Sequence, residues 1–130
     1  MNLVTFNNTN SRNLQTGRRF INFHYKSGLI SLSKRLVDDL SNQKKGVLIH
    51  QDLDRPKDWF LEFTDDEDSF IFRKKTGTYF SNKKIAASIK ESLNIDYCVS
   101  FYCLVGREKV QLGNGRIAHP IITKSVKKRT

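Results

Sequence analysis

The sequence has few of the residues that cross-link, interrupt or anchor a chain. Its 130 residues include only two cysteines, two prolines, one tryptophan and one methionine. Cys98 and Cys103 lie five positions apart in an apolar run, which places them on opposite faces of a strand and supports neither a disulfide nor a CxxC redox motif. We therefore expect a reducing, cytoplasmic setting.

Long hydrophobic runs are also missing. No stretch approaches the roughly 18 consecutive apolar residues that indicate a membrane-spanning helix. The first ten residues, MNLVTFNNTN, lack the basic start and the apolar run of a signal peptide. The sequence therefore predicts neither membrane association nor Sec-dependent secretion.

Acidic residues are scarce and concentrated in one segment. The chain has 23 Lys and Arg against 13 Asp and Glu, a formal charge of +10. Eight of the 13 acids fall within residues 51–70, where only two bases accompany them. This segregation predicts an acidic side and a basic remainder that attracts polyanions. The alternative is that surplus lysine only keeps the protein soluble, but the bases cluster in pairs and triples.

The length and a hydrophobic fraction of 38% fit one domain with a modest core. We predict a flexible polar arm over residues 1–17, a barrel domain over residues 18–122 and a basic C-terminal tail over residues 123–130. The tail contains no core-forming residue except Val126.

Apolar periodicity predicts a mainly β fold with two short helices, an α+β class. Ser33 and the Ser81–Asn82 pair precede the two helical patterns as N-cap candidates. The predicted strands are short, a turn is expected over residues 52–56, and strands at 97–105 and 117–122 close the pattern. Asn114-Gly115 between these last strands predicts a hairpin turn.

The chain resembles itself when it is shifted by 49 residues. Gly28 aligns with Gly77 and Ser33 with Asn82, while one inserted residue brings Val47 opposite Tyr97. The repeat units span about residues 18–63 and 68–122. A duplication predicts one barrel with pseudo-twofold symmetry. The alternative is chance similarity between two units with the same pattern of elements.

The first unit reads KSGLISLSKRL, followed by a short helix and by KGVLI. This segment of about 30 residues resembles the AbrB/MazE/SpoVT family of swapped-hairpin barrels. In that family two short chains interlock into one DNA-binding barrel, so the resemblance implies a single chain that forms its own AbrB-like pseudo-dimer. It also implies a transcriptional regulator of a bacterium or mobile element. The sequence departs from the family pattern at Leu29, where arginine is common, at Ser33, where proline is customary, and after Gly46, where Asp is missing.

Basic clusters near the glycine turns and helix starts predict contacts with DNA phosphates. The predicted nucleic-acid-binding residues are Lys26, Lys34, Arg35, Arg73, Lys74, Lys75, Lys83 and Lys84. Auxiliary contacts are predicted for the terminal basic residues Arg12, Arg18, Arg19, Lys124, Lys127, Lys128 and Arg129.

The alternative function is a protein–protein interaction module, such as an antitoxin-like partner or a small structural or packaged protein of a phage or mobile element. The acidic segment 51–70 or the termini would then bind a protein partner. Trp59 is either a core residue or a partner contact. An RNA-binding barrel shares the charge argument, although aromatic stacking residues on a basic face are not evident. The chain is expected to act as a monomeric pseudo-dimer or a homodimer.

Catalytic patterns are missing from the sequence. His24, His50 and His119 occur singly in strand patterns, where packed or half-exposed roles are the usual ones. The aspartates of 52–58 lack the glycine and glutamate of a calcium loop. We therefore predict a non-enzymatic protein with no catalytic residues, no metal ion and no cofactor.

Overall fold

A computed structural model describes residues 18–72, 78–96 and 99–129 of the chain. The strands are β1 (Phe20–Phe23), β2 (Leu29–Leu32), β3 (Gly46–Asp52), β4 (Arg55–Thr64), β5 (Phe70–Ile71), β6 (Thr78–Ser81), β7 (Ser100–Val105), β8 (Val110–Gly113) and β9 (Arg116–Arg129). The helices are α1 (Lys34–Leu40) and α2 (Lys83–Leu93).

Both helices begin after a side chain that caps their first turn. Ser33 Oγ accepts a hydrogen bond from the backbone N–H of Leu36 at 3.2 Å, and Asn82 Oδ1 accepts one from Ile85 at 2.9 Å. Each cap satisfies a backbone donor that the helix itself leaves free. The two predicted N-cap positions are therefore confirmed.

The strands form an antiparallel sheet that curves into a nearly closed barrel. Its strand order is β5-β3-β4-β9-β7-β1-β2-β6, and β8 pairs with β9 outside this path. Among the described residues, no ladder joins the edge strands β5 and β6. The rings of Phe70 and Phe80 stack across this seam with 5.1 Å between their centroids. The predicted mainly β class with two short helices is confirmed at this level.

Alternation along the strands fills the barrel interior. β1, β2 and β7 each bury every second residue, as strands with one covered face do. The two helices contribute buried apolar side chains to the same core cluster. The largest fully buried side chains are Phe23, Phe101, Ile21, Ile30, Leu36, Leu61, Ile89, Val47 and Cys103.

The C-terminal segment differs from its prediction. Residues 123–129, expected to be a basic tail, continue β9 as a strand. Lys127 pairs with Tyr102 and Lys128 pairs with Phe101 of β7. Ladder hydrogen bonds use backbone groups, which every strand must satisfy whatever its side chains. A basic composition therefore did not prevent this strand, and Val126 packs against the core.

The Asn114–Gly115 turn is confirmed, but it joins different strands from those predicted. Both residues have positive φ, 53° and 76°, which suits a two-residue hairpin turn. The turn connects β9 to β8, and β7 pairs with β9 as well. Apolar periodicity does not predict β8 because three of its four residues are exposed.

Two further strand boundaries differ from their predicted positions. β7 begins at Ser100, later than the predicted strand start at Tyr97, which lies outside the described residues. β4 begins at Arg55, so the turn expected over residues 52–56 is shorter than predicted. Pro56 lies at the exposed start of β4 rather than in the turn, a strand position that tolerates its missing donor.

The strand order separates the acidic segment from the β1–β2 turn. Along the strand order, β3 lies four positions from β1, and β4 lies four positions from β2. In a nearly closed ring of eight strands, four positions correspond to opposite sides. The acidic residues of β3, β4 and the loop at 65–68 therefore lie across the barrel from the β1–β2 turn.

Candidate nucleic-acid interface

The β1–β2 turn packs directly against the start of α2. The backbone N–H of Asn82 donates to the carbonyl oxygen of Gly28 at 3.0 Å. Gly28 has φ of +70°, and a Cβ atom there would lie 2.9 Å from the backbone nitrogen and Cα of Lys83. Glycine is required for both reasons, since it adopts positive φ without cost and allows this close approach.

This contact brings together basic residues that are far apart in sequence. Lys26 in the turn and Lys83 and Lys84 at the start of α2 are all exposed. The first turn of α2 contains no acidic residue. We call Lys26, Lys83 and Lys84 the basic turn cluster. Its positive charge suits phosphate groups.

Lys34 and Arg35 lie elsewhere, at the opposite end of the β2–β6 pair. Both side chains are exposed at the start of α1. Arg35 Nε is 2.8 Å from Asp39 Oδ2, which Arg19 also contacts at 3.0 Å. Hydrogen bonds from Arg35 and Arg19 hold the pKa of Asp39 below its usual value, against the opposing effect of desolvation. Part of the positive charge at this end is therefore neutralised.

The remaining predicted basic residues are distributed around the molecule. Arg12, Arg73, Lys74 and Lys75 lie outside the described residues. Arg18 is exposed just before β1. Lys124, Lys127 and Lys128 are exposed along β9, and Arg129 ends that strand opposite Ser100.

On the outer surface of the sheet, residues of β1, β7 and β9 lie side by side. Asn22 of β1 pairs with Tyr102 of β7, which pairs with Lys127 of β9. The ring of Phe20 contacts that of Tyr102 edge-on at 5.8 Å. Because neighbouring strands are about 5 Å apart, Lys127 lies two strands, roughly 10 Å, from β1. This face therefore carries an aromatic pair, Phe20 and Tyr102, with Lys127 on the neighbouring strand.

Two aromatic residues of the β1–β2 turn were not among the predicted site residues. The rings of His24 and Tyr25 stack with 5.6 Å between centroids and 19° between planes, and both residues are exposed. The ammonium of Lys90 lies 5.4 Å from the Tyr25 ring centroid. The sequence signal was the triplet His-Tyr-Lys, which only Ser27 separates from the turn glycine Gly28.

Trp59 belongs to the core. It is 5% exposed, and its indole N–H donates to Ser92 Oγ of α2 at 2.9 Å. A buried indole usually finds such a partner. Of the two roles that the sequence left open for Trp59, the structure shows the core residue and not the partner contact.

A second group of polar residues, unrecognised in the sequence, lies on the acidic side. Glu62 is 3% exposed; its Oε1 accepts hydrogen bonds from His50 at 2.9 Å and Arg116 at 2.6 Å, while Oε2 accepts another from Arg116. These bonds, that of Arg116 foremost, lower the pKa of Glu62 despite its burial. Nothing local in the sequence indicates this group, because its members come from three strands.

The Glu62 group borders a cleft of about 640 Å³ between the end of α1 and the β8–β9 hairpin. His119 also lines the cleft, and its Nδ1–H donates to the carbonyl oxygen of Glu108 at 3.0 Å. Both carboxylate oxygens of Glu62 accept hydrogen bonds from neighbouring side chains. Glu62 is therefore suited to holding the β8–β9 hairpin in place. No group of three or more metal-ligating side chains occurs among the described residues.

None of the helices in residues 18–72, 78–96 and 99–129 is long and apolar enough to cross a membrane. Comparison of the chain with protein-family models, with curated proteins and with solved structures finds no match.

Proposed function

We propose that the protein is a non-enzymatic DNA-binding protein that contacts phosphates through the basic turn cluster. The observation that carries this proposal is the close contact between Gly28 and Lys83, which gathers Lys26, Lys83 and Lys84 on one exposed surface. The acidic segment lies on the other side of the barrel. A molecule with this charge distribution approaches a polyanion with its basic side first.

The finer proposal is a duplicated, AbrB-like barrel. A twofold axis would exchange β1 with β5, β2 with β6, β3 with β7 and β4 with β9. Under this exchange, six of the seven strand pairings along the sheet coincide with pairings that are observed. The seventh, β1–β2, maps onto the β5–β6 seam, where Phe70 and Phe80 stack. This regularity supports a pseudo-twofold axis through the β2–β6 and β4–β9 pairs.

The strand register supports the same symmetry. Leu29 pairs with Ser81 and Leu32 pairs with Thr78, and these two pairs exchange under the shift of 49 residues. The register also favours Cys103 over Tyr97 as the counterpart of Val47. Ile21 and Phe70 correspond under the shift of 49 residues. Ile21 pairs with Cys103 and Phe70 pairs with Val47, so Cys103 and Val47 occupy corresponding positions.

The symmetry extends the proposed DNA surface to the other end of the β2–β6 pair. Under the shift of 49 residues, Lys34 and Arg35 correspond to Lys83 and Lys84, and Lys26 corresponds to Lys75. Two similar basic surfaces would then contact two segments of one DNA molecule. A regulator of a bacterium or mobile element is the role that the family resemblance favours.

One observation favours the alternative, a protein–protein interaction module. Leu53 is 84% exposed at the tip of the β3–β4 hairpin, between Asp52 and Asp54. An exposed apolar residue within an acidic hairpin would suit a basic protein partner. This role predicts that DNA is not bound even at low salt.

The test is anisotropy-detected binding of the full chain to an arbitrary labelled duplex, from about 50 to 300 mM salt. The slope of log affinity against log salt counts phosphate contacts. The variant Lys26→Gln/Lys84→Gln should reduce the magnitude of the slope by about 1.8, since each contact contributes about 0.9.

The matched control is Arg55→Gln/Lys57→Gln, which removes the same charge from exposed positions at the start of β4. Its slope should equal that of the wild type. Absence of wild-type binding at the low-salt end, or equal slopes for both double variants, would contradict the proposed DNA surface.

A further inference from the structure

We infer that the stacked rings of His24 and Tyr25 bind an unpaired base, so that the protein prefers single-stranded nucleic acid over a duplex. This inference rests on the proposed function and specifies its substrate. Both residues are exposed. Tyr25 retains 46% of its accessible surface despite its contacts with His24 and Lys90.

Hydrogen bonds hold the backbone of the turn that carries the two rings. His24 donates its backbone N–H to Leu29 and accepts that of Gly28 at its carbonyl oxygen, with distances of 2.9 and 3.0 Å. The backbone N–H of Tyr25 donates to Ser100 Oγ at 3.1 Å. A prearranged ring loses little conformational freedom when a ligand stacks on it.

The His24 ring is fixed as well. Its Nδ1 accepts the backbone N–H of Ser27 at 3.4 Å and lies 3.1 Å from Ser27 Oγ. Because Nδ1 is the acceptor, the neutral ring carries its proton on Nε2. That N–H is a donor suited to a base edge or a phosphate oxygen.

The charges around the rings favour a nucleotide over an uncharged apolar partner. Lys26 follows Tyr25 directly, and Lys83 and Lys84 lie across the Gly28 contact. The ammonium of Lys90 lies over the Tyr25 ring. A base stacked on the rings would place its own phosphates near the exposed Lys26, Lys83 and Lys84, an arrangement typical of single-strand binding. In a duplex the base faces are already stacked, so only the phosphates would be contacted.

The experiment measures binding of the full chain to a labelled single strand of about 20 nucleotides and to the same sequence as a duplex, because single-strand sites span about 4–16 nucleotides. We expect the wild type to bind the single strand more tightly. Tyr25→Ala should weaken single-strand binding about 5- to 150-fold, the equivalent of one lost stacking contact. Tyr25→Phe should retain the wild-type affinity.

The salt dependence separates stacking from charge. Tyr25→Ala should leave the slope of log affinity against log salt unchanged, since no phosphate contact is removed. Its duplex affinity should also be unchanged. Leu53→Ala is the matched control, because it removes an exposed apolar side chain on the opposite side of the barrel.

A second variant keeps the inference testable if Tyr25→Ala does not fold. Tyr25→Trp keeps a stacking ring, and its emission should be quenched by the single strand but not by the duplex, above a constant contribution from buried Trp59. The inference is overturned if the wild type binds both forms equally. It is also overturned if Tyr25→Ala binds the single strand as tightly as the wild type and the single strand does not quench the emission of Tyr25→Trp. Absence of all binding at low salt would instead overturn the proposed function.

Discussion

At the scale of single residues, Gly28 determines whether the basic turn cluster can form. We expect Gly28→Ala to lower the free energy of unfolding by about 1–3 kcal/mol for its positive φ alone. The clash with the backbone of Lys83 adds to this loss. Urea denaturation followed by circular dichroism measures the difference.

Gly115→Ala is the matched control for this substitution. Gly115 also has positive φ, +76°, but a Cβ atom there would meet no atom within 4 Å. Gly28→Ala should therefore be the more destabilising of the two. Equal losses would show that the approach of the turn to α2 contributes nothing.

Cys103 illustrates how burial changes the chemistry of a residue. The side chain is fully buried, and desolvation raises the pKa of its thiol to about 12. The thiolate is the reactive form, so at pH 8 the folded protein should present almost none at this position. In a Cys98→Ser variant, iodoacetamide should label Cys103 only after denaturation. Rapid labelling of the native protein would contradict this burial.

At the scale of elements, the β8–β9 hairpin is attached to β4 by the Arg116–Glu62 ion pair. Arg116→Gln should lower the free energy of unfolding, because the buried Glu62 carboxylate loses its charged hydrogen bonds. Thermal or urea denaturation measures this loss. The control Arg107→Gln removes an exposed charge from the loop before β8 and should have little effect.

The same ion pair makes stability depend on pH. The pKa of Glu62 is lowered in the folded state. Its contribution to the free energy of unfolding is therefore complete above the pKa of the unfolded state, near 4.5, and is lost as pH falls through the pKa of the folded state. Urea midpoints measured between neutral and acidic pH should fall more steeply for the wild type than for Glu62→Gln. Parallel curves would show that Glu62 is not stabilised as a carboxylate.

At the scale of the whole molecule, one core connects the barrel with both helices. Trp59 of β4 bonds to Ser92 of α2, so its fluorescence reports contact between the sheet and a helix. We expect Trp59 fluorescence and far-ultraviolet circular dichroism to give the same urea midpoint. Separate midpoints would indicate two half-modules that unfold independently.

Particular elements show how far the sequence alone could predict this fold. Ser33, Asn82 and the Asn114–Gly115 turn were predictable because caps and tight turns depend on residues a few positions apart. The β9 extension and β8 were not, since their pairing depends on backbone groups of distant strands. The buried Glu62 group was unpredictable for the same reason.

The candidate site shows the same division. Composition and spacing determined the basic clusters, the segregated acidic segment and the glycine of the turn, because charge and backbone freedom are properties of the residues themselves. Only the tertiary structure decided which clusters meet. It joined the β1–β2 turn to α2, separated Lys34 and Arg35 from it, buried Trp59 and exposed Tyr25, since burial and proximity arise from packing between segments distant in the chain.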